Sequence, residues 1–529
     1  IVILPFKNIG ATADREAFSA GLSETITAQL TQLQQFQDTL LVVPMTEVRK
    51  ESVSTASEAR SVFGATLALS GSVQREAGVV RVTVSLVDTR TLRILRSATL
   101  DHPTDEVYRL QDRVAARTAE WLGLALSPEA KRVLAAGQTT VAPAYTLYLQ
   151  GLGELGRTGN TDAAIVHLQQ ALVSDPHYAL AHAALGEAFW TKYTETKSRL
   201  WIDEARRSCA AALEFGATLA APHVTLAVIL VGTGQYEQAA AEAQTALRLD
   251  PTQADATRVL ARALERLNRP AEAEAALQRV LDRYPANGLA HMALASFYWR
   301  AGRNTDAENH FLRAIALMPD NYAIYRNLGG LYVMMGRPER AAELLEKSIT
   351  LKPSASAYSN LGTLRFQQGR YADSATLFEQ ASQLSPRDFL LLGNLADALR
   401  FIPARAGEAG PVYARAIDLA DEALAVNPKD AAVRASIGLY CAFQGLAVRA
   451  RAEIKEARAL APTNLPILLN AAVVFEQLGE REQAVEALAA ALKGGFPAAD
   501  VTQNPDLAVV RNDPRIASLL SVPAKTNDR

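Results

Sequence analysis

Large apolar residues return every three or four positions along most of the chain, and that pattern itself returns every 34 residues. Prolines supply the ruler: Pro251, Pro285, Pro319 and Pro353 are each 34 apart (285 − 251, 319 − 285, 353 − 319), as are Pro428 and Pro462. Inside each period a first segment carries a bulky residue, then Leu or Ile beside a small residue, then another bulky one. Examples are Leu294, Ala295 and Tyr298; Tyr325, Leu328, Gly329 and Tyr332; Tyr358, Leu361 and Gly362; and Ile437 and Gly438. A second segment pairs Ala with a small or large apolar residue one turn later: Ala239 and Ala243, Ala273 and Leu277, Ala307 and Phe311, Ala341 and Leu345, Ala450 and Ile454, Ala484 and Leu488. Spacings of three and four place these residues on one helix face, so each period predicts a hairpin of helices A and B. Gly234, Gly302, Gly336 and Gly369 stand where a left-handed residue would end helix A. The prolines stand where helix B cannot continue.

About ten hairpins are expected between Ala144 and Leu492, with irregular units ending near Pro176, Gly216 and Pro428 and insertions at Lys192–Trp201 and Phe401–Val412. Terminal repeats must cover an exposed apolar face. Asn504-Pro505 and Asp513-Pro514 each place a capping residue before a first-turn proline, so two short helices reaching Ile516, Leu519 and Leu520 are expected as the cap. The first 140 residues change period. Ile1–Pro5 and Leu40–Pro44 read as strands, Arg15–Leu33 and Ser57–Phe63 as helices. Thr66–Val73, Val79–Val87 and Thr91–Leu100 read as β-rich runs joined by turns at Glu76–Gly78 and Asp88–Arg90. Asp105–Leu122 closes as a helix. The fold class is therefore mainly α: a right-handed helical-repeat solenoid with a small N-terminal α/β domain. The boundaries are 1–126 for that domain, 127–143 for a linker, 144–495 for the array and 496–529 for the capping helices and tail.

Composition narrows the function. With 54 basic and 56 acidic side chains among 529 residues the net charge is −2, which lacks the basic imbalance of a direct nucleic-acid binder. Cys209 and Cys441 lie in separate apolar helical stretches and read as small buried hydrophobes rather than a disulfide. The most apolar run, Val224–Val231, falls far short of the ~20 residues of a spanning helix. The opening at Ile1, a buried strand without a charged leader, reads as cut from a longer polypeptide.

The 34-residue period is that of the tetratricopeptide repeat, and the N-terminal segment carries a second resemblance. Leu4-Pro5-Phe6, Gly21-Leu22-Ser23-Glu24, Ala59–Val73, Val84–Leu92 and Leu110-Gln111-Asp112 resemble the TolB-N-like domain of bacterial proteins, which often precedes tetratricopeptide repeats. The whole chain, including the insertion around Trp201, Asn394–Ala398 and the ending from Asn504 to Arg515, resembles the C-terminal, non-kinase region of bacterial transmembrane serine/threonine protein kinases. That resemblance implies an extracytoplasmic sensor or docking region that associates in two copies, with the membrane reached only through an upstream segment. Cyclase and DNA-binding modules also precede this architecture, and a free-standing scaffold whose α/β domain binds a small ligand is the alternative. His-Arg-Asp, Asp-Phe-Gly and Val-Ala-Ile-Lys motifs are absent, so no phosphoryl transfer is assigned to these residues. No catalytic residue, cofactor or metal is expected; the expected partner is a protein or peptide.

Gly151-Leu-Gly-Glu-Leu-Gly156 spells a dinucleotide pattern, but it falls between two predicted helices rather than after a strand, so a helix-turn role is expected. His177 and His182, five apart, do not share a helix face as two metal ligands would. The informative positions lie on helices A. Asn327, Asn360 and Asn394 each precede Leu, and Asn470 holds the same register; an amide donates and accepts, so such a ladder can pair with the backbone of an extended peptide. Local hydrogen bonding explains Asn there equally well. Arg258, Arg262 and Arg266 recur every four residues, with Arg300 and Arg326 in neighbouring units, a stripe able to grip carboxylates or phosphates bidentately or to pair with local Glu. Trp299 beside them is the candidate aromatic anchor.

Overall fold

The structure, a computed structural model, describes residues 1–10, 13–76, 78–124 and 126–521. Ala77, within the expected Glu76–Gly78 turn, and the tail from 522 lie outside the described residues. The chain divides into two compact units, Ile1–Asn321 and Tyr322–Arg529.

The first unit opens with the α/β domain. Its strands are β1 (Val2–Ile3), β2 (Lys7–Ile9), β3 (Leu67–Glu76), β4 (Val79–Asp88) and β5 (Ile94–Pro103). β1 and β2 run parallel to β3 on one side, and β3, β4 and β5 follow as antiparallel neighbours. Helices α1 (Ala13–Gln34), α2 (Met45–Lys50), α3 (Ala56–Phe63) and α4 (Leu110–Trp121) complete the domain. Alternation along β3, β4 and β5 sends Leu69, Val73, Val80, Val82, Val84, Leu86 and Leu100 into a core shared with α1 and α4, as the two-residue strand period requires. The opposite face is polar: Thr83 pairs with Thr99, Ser85 with Ser97, and Arg81 with Asp101. α1 buries Phe18, Leu22, Ile26 and Leu30 completely, four residues apart on one stripe.

Leu40–Pro44, expected as a strand, is an extended connection. Val43 N–H donates to Ile1 O at 3.0 Å, but Pro44 has no N–H to extend a ladder and instead precedes α2 as its N-cap. Residues 127–143 contain a further helix, α5 (Pro128–Ala135), capped by the Ser127 side chain on Ala130 N–H. Gly137 then sits against Leu219 and Ala179.

Five hairpins follow in this unit: Ala142–Gly153 with Thr161–Ser174, Ala179–Thr196 with Leu200–Phe215, Ala220–Gly232 with Tyr236–Leu249, Ala254–Arg266 with Pro270–Arg283, and Gly288–Arg300 with Asn304–Leu317. These are repeats 1 to 5. The second unit holds repeats 6 to 10: Tyr322–Met334 with Pro338–Leu351, Ala355–Gln367 with Tyr371–Leu384, Phe389–Arg400 with Ala409–Val426, Ala431–Phe443 with Ala447–Leu460, and Leu465–Gln477 with Arg481–Lys493. Pro176, Pro251, Pro285, Pro319, Pro353, Pro386, Pro428 and Pro462 each stand two residues beyond the end of a helix B. The expected Ala positions of helices B are fully buried, as are Phe311, Leu345, Ile454 and Leu488. Small residues on helices A let the partner helix close in: a side chain at Gly329 would meet Leu345, and one at Gly362 would meet Phe378. Val501, Leu507, Val510 and Ile516 of the C-terminal segment are completely buried in the core of the second unit. The fold is thus a helical-repeat solenoid with a small N-terminal sheet domain.

Candidate functional site

The α/β domain lies across the helix-A face of the repeats in its own unit. α1 crosses helix A of repeat 1 at glycines: a Cβ on Gly21 would collide with the Leu149 backbone, and one on Gly153 with the Ala17 backbone. Tyr145 on that helix is buried and donates its hydroxyl proton to Gln111 of α4 at 3.0 Å. Each glycine of the apparent dinucleotide pattern meets a packing need, Gly151 against Leu168, Gly153 against α1, and Gly156 against Arg49 and Glu24. The pattern ends in a single π turn, Glu154–Thr158, with no strand before it.

Beyond this crossing the two walls separate around a cleft of ≈ 2130 Å³. One wall comes from α1 and the segment to α2, with Thr27, Thr31, Gln35, Asp38 and Glu47; the other comes chiefly from repeats 2 to 5. Four of the arginines singled out in the sequence share the second wall: Arg258, Arg262, Arg266 and Arg300. Arg258 pairs with Asp255. Arg300 grips Glu265 bidentately, both distances 2.8 Å. Arg266 lies over the Tyr236 ring, 5.1 Å from its centroid. Arg262 is exposed and makes no ion pair among the described residues. Trp299 is half-buried and lies outside the cleft lining, while Tyr298 is buried with its hydroxyl on Glu274 at 2.7 Å.

Residues that periodicity did not bring forward complete the site. Glu24 and Arg49 form an ion pair within the α/β domain. Glu187, on helix A of repeat 2, lines the cleft; desolvation among the surrounding walls raises its carboxyl above the usual range, with Arg49 pulling down and Asp255 pushing up. Arg49 is lowered by the same desolvation, offset by Glu187. Arg283 closes the far end against Asp38. The sequence signals for this arrangement are Gly21 inside α1 and Gly153 on the facing helix, whose missing side chains permit the crossing.

The asparagines lie in the second unit on helices A, all half-buried. Asn327 Oδ1 accepts from Arg326 Nε and Nη2 at 3.0 and 2.9 Å, and Asn360 Nδ2 donates to Arg326 O at 3.4 Å. Asn394 and Asn470 make no hydrogen bond through their amides among the described residues. In the intervening repeat the register is held by Ser436, which bonds its own helix at Ala432 O. Also in this unit, Arg400 grips Asp506 at 2.8 and 3.2 Å and donates to Tyr413 Oη at 2.9 Å, and Tyr413 in turn donates to Asp397. Burial pushes the Asp397 carboxyl up to about 6, with Arg400 opposing.

His177 and His182 both pack near Phe215. Among the described residues no group of three or more His, Cys, Asp or Glu could hold a metal ion, and no helix is long and apolar enough to cross a membrane. Leu69 and Val73 are buried in the sheet core. Cys209 and Cys441 are buried free thiols.

A family model described as tetratricopeptide repeat matches residues 154–212, 224–288 and 359–400, and a second of the same description matches 288–354. No curated protein matches the chain. Among solved structures, a tetratricopeptide repeat protein from Parabacteroides merdae is 21% identical over 48% of this chain and 98% of its own, with a TM-score of 0.40. The Cut9-Hcn1 hetero-tetramer of the APC/C aligns over 78% of this chain and 82% of its own at 17% identity and a TM-score of 0.41. A thermophilic repeat protein of Thermus thermophilus aligns over 34% of this chain and 97% of its own at 23% identity and a TM-score of 0.31.

Proposed function

We propose that this chain, whose tetratricopeptide repeats imply a protein–protein interaction scaffold, holds an extended segment of a partner along the helix-A face of repeats 6 to 10. The observation that carries this reading is the pair Asn394 and Asn470, amides of the same register that are half-buried yet make no hydrogen bond among the described residues. A partner's backbone can take both the donor and the acceptor of each amide whatever its sequence. Asn327 and Asn360 extend the register, already engaged by Arg326.

The TolB-N-like resemblance of the first domain supports a parent protein of the receptor-kinase type, with this region outside the cytoplasm and working by docking rather than by catalysis. Two tests follow. Asn394→Ala with Asn470→Ala should weaken the captured partner by tenfold or more, since each lost amide contact costs about 1 kcal/mol or somewhat more, with the circular dichroism spectrum unchanged; equal affinity of the variant refutes the ladder. The gene upstream of Ile1 should encode a kinase domain and one apolar stretch of ~20 residues. An upstream region without them removes the kinase reading and leaves the scaffold.

A further inference from the structure

The α/β domain is held at its two ends by contacts of different kinds. At repeat 1 the attachment is backbone against backbone through Gly21 and Gly153, with the buried Tyr145 bonded to Gln111. At repeats 4 and 5 it is thin and polar. Arg283, at the end of helix B of repeat 4, reaches the last carbonyls of α1, Gln34 O at 3.3 Å and Gln35 O at 3.2 Å, and the Asp38 carboxylate at 3.0 Å. Asp320 N–H donates to Ser61 O at 3.1 Å, and Gly64, at a φ of +66° that suits glycine, abuts Leu317 O. The Asp38 side chain is 89% exposed, so that ion pair is screened and weak.

Between these ends the walls stand apart by the ≈ 2130 Å³ of the cleft. Surfaces shaped for each other close to crystal-like density; these do not. The volume is also at least about twice that of an ordinary small-molecule pocket, which selects a polymer segment over a metabolite.

The charges left over after internal pairing say which polymer. Arg258 is matched by Asp255, Arg300 by Glu265 and Lys50 by Glu47. Arg248, Arg262 and Arg279 line the same cleft without an ion pair among the described residues, against two acids, Glu187 and Asp250, that likewise have none. What already occupies Arg283 is instructive: two main-chain carbonyls at the negative end of a helix and a carboxylate three residues on. An acidic peptide offers the same groups. A nucleic acid is disfavoured because the aromatics lining the cleft, Phe63, Tyr148 and Tyr284, are all buried and present no face on which bases could stack.

We propose that the cleft receives an extended acidic segment of a partner protein, and that the Gln34–Asp38 end of α1 occupies the Arg283 position as an intramolecular stand-in until that segment displaces it. The proposal is independent of the asparagine register in the second unit. The test is fluorescence anisotropy of a labelled oligoglutamate on the full chain, with oligolysine and oligothymidylate of equal length as comparison probes. Oligoglutamate should bind, and more weakly as salt rises. Asp38→Ala, at an exposed position, should tighten it about two- to fivefold by removing the competing ion pair. Arg262→Ala with Arg279→Ala, both exposed, should weaken it by roughly tenfold or more, while Asn394→Ala with Asn470→Ala should change nothing. Absence of oligoglutamate binding in both the natural chain and Asp38→Ala, or binding indifferent to the arginine pair, overturns the proposal. So does a preference for oligolysine, or tighter oligothymidylate binding that depends on the same arginines.

Discussion

Asn268 adopts φ +57° in the turn between the helices of repeat 4, at the place where Gly234, Gly302, Gly336, Gly369, Gly445 and Gly479 take φ between +64° and +78° in other repeats. An L-residue in that region crowds its Cβ against the following carbonyl, and Asn tolerates this better than most without escaping it. Asn268→Gly should therefore stabilise the protein by a few tenths to about 1 kcal/mol, the gain being trimmed by the greater freedom of glycine in the unfolded chain. The reciprocal change isolates the cause: nothing lies within 4 Å of a Cβ placed on Gly302, so Gly302→Ala should lose about 1 kcal/mol through backbone strain alone. Urea midpoints of the two variants, moving in opposite directions, check both. A second residue-scale device sits one repeat on. His291 donates from Nε2 to Pro285 O at 3.1 Å, which leaves its Nδ1 to accept from His310 Nδ1–H at 3.0 Å, a pair that works only while the His291 ring is neutral. Burial lowers both pKa values below 6.5, helped at His310 by His291 and opposed there by Asp306, with Arg303 and Arg313 adding positive charge nearby. Near pH 6 the unfolded chain then binds more protons than the folded one. The stability from the pair is full above about 6.5 and is lost as the pH falls through the depressed folded values. Thermal melts at pH 7.5 and pH 5 should show a larger acid-induced fall in Tm for the natural chain than for His310→Gln; equal falls would assign the acid sensitivity elsewhere.

Hairpins are legible in the sequence because what makes them is local. Pro285 or Pro319 ends a helix by its own chemistry, a positive-φ Gly turns the chain, and Ala307 with Phe311 lie on one face whatever packs against them. The insertions are equally local. Lys192–Trp201 becomes an extension of helix A of repeat 2 to Thr196, and Trp201 stacks on Phe189 at 5.7 Å; Phe401–Val412 forms a 3-10 turn leading into helix B of repeat 8. Legibility fails where one element meets another far along the chain. Leu40–Pro44 has the composition of a strand but only Ile1 to pair with. Arg258, Arg262 and Arg266, spaced by four, line one wall of the cleft, yet nothing in that spacing reveals that α1 and Asp38 stand opposite. That juxtaposition rests on Arg283 meeting carbonyls 249 and 248 positions away, and on Gly21, whose significance appears only beside Leu149. Trp299 lies outside the cleft lining, although Ser296 and Arg300 of the same helix belong to it.

A repeat array is a one-dimensional object whose end units lack a neighbour on one side, so its stability depends on what covers the ends. The α/β domain does this for repeat 1. It buries Tyr145 and Leu149 and admits no side chain at Gly153. In the second unit the C-terminal segment contributes Leu507, Val510 and Ile516, all fully buried, with Asp506 fastened to Arg400. If the α/β domain were a tethered passenger, a chain beginning at Pro128 would keep every repeat intact. If it is the cap, that shortened chain exposes Tyr145 and Leu149 at about 1.5–3 kcal/mol for each large side chain, and repeat 1 should fray while repeats 4 and 5, flanked on the side of repeat 1 by other hairpins, hold. Amide hydrogen exchange separates the two, because opening is reported hairpin by hairpin. Protection should be lost across Ala142–Ser174 and kept across Ala254–Leu317, and a restored Gly153→Ala side chain in the full chain should reproduce the same local loss by forcing α1 away. Retained protection in Ala142–Ser174 in the shortened chain would make the glycine crossing incidental to stability and leave the domain's position over the cleft as its sole structural role.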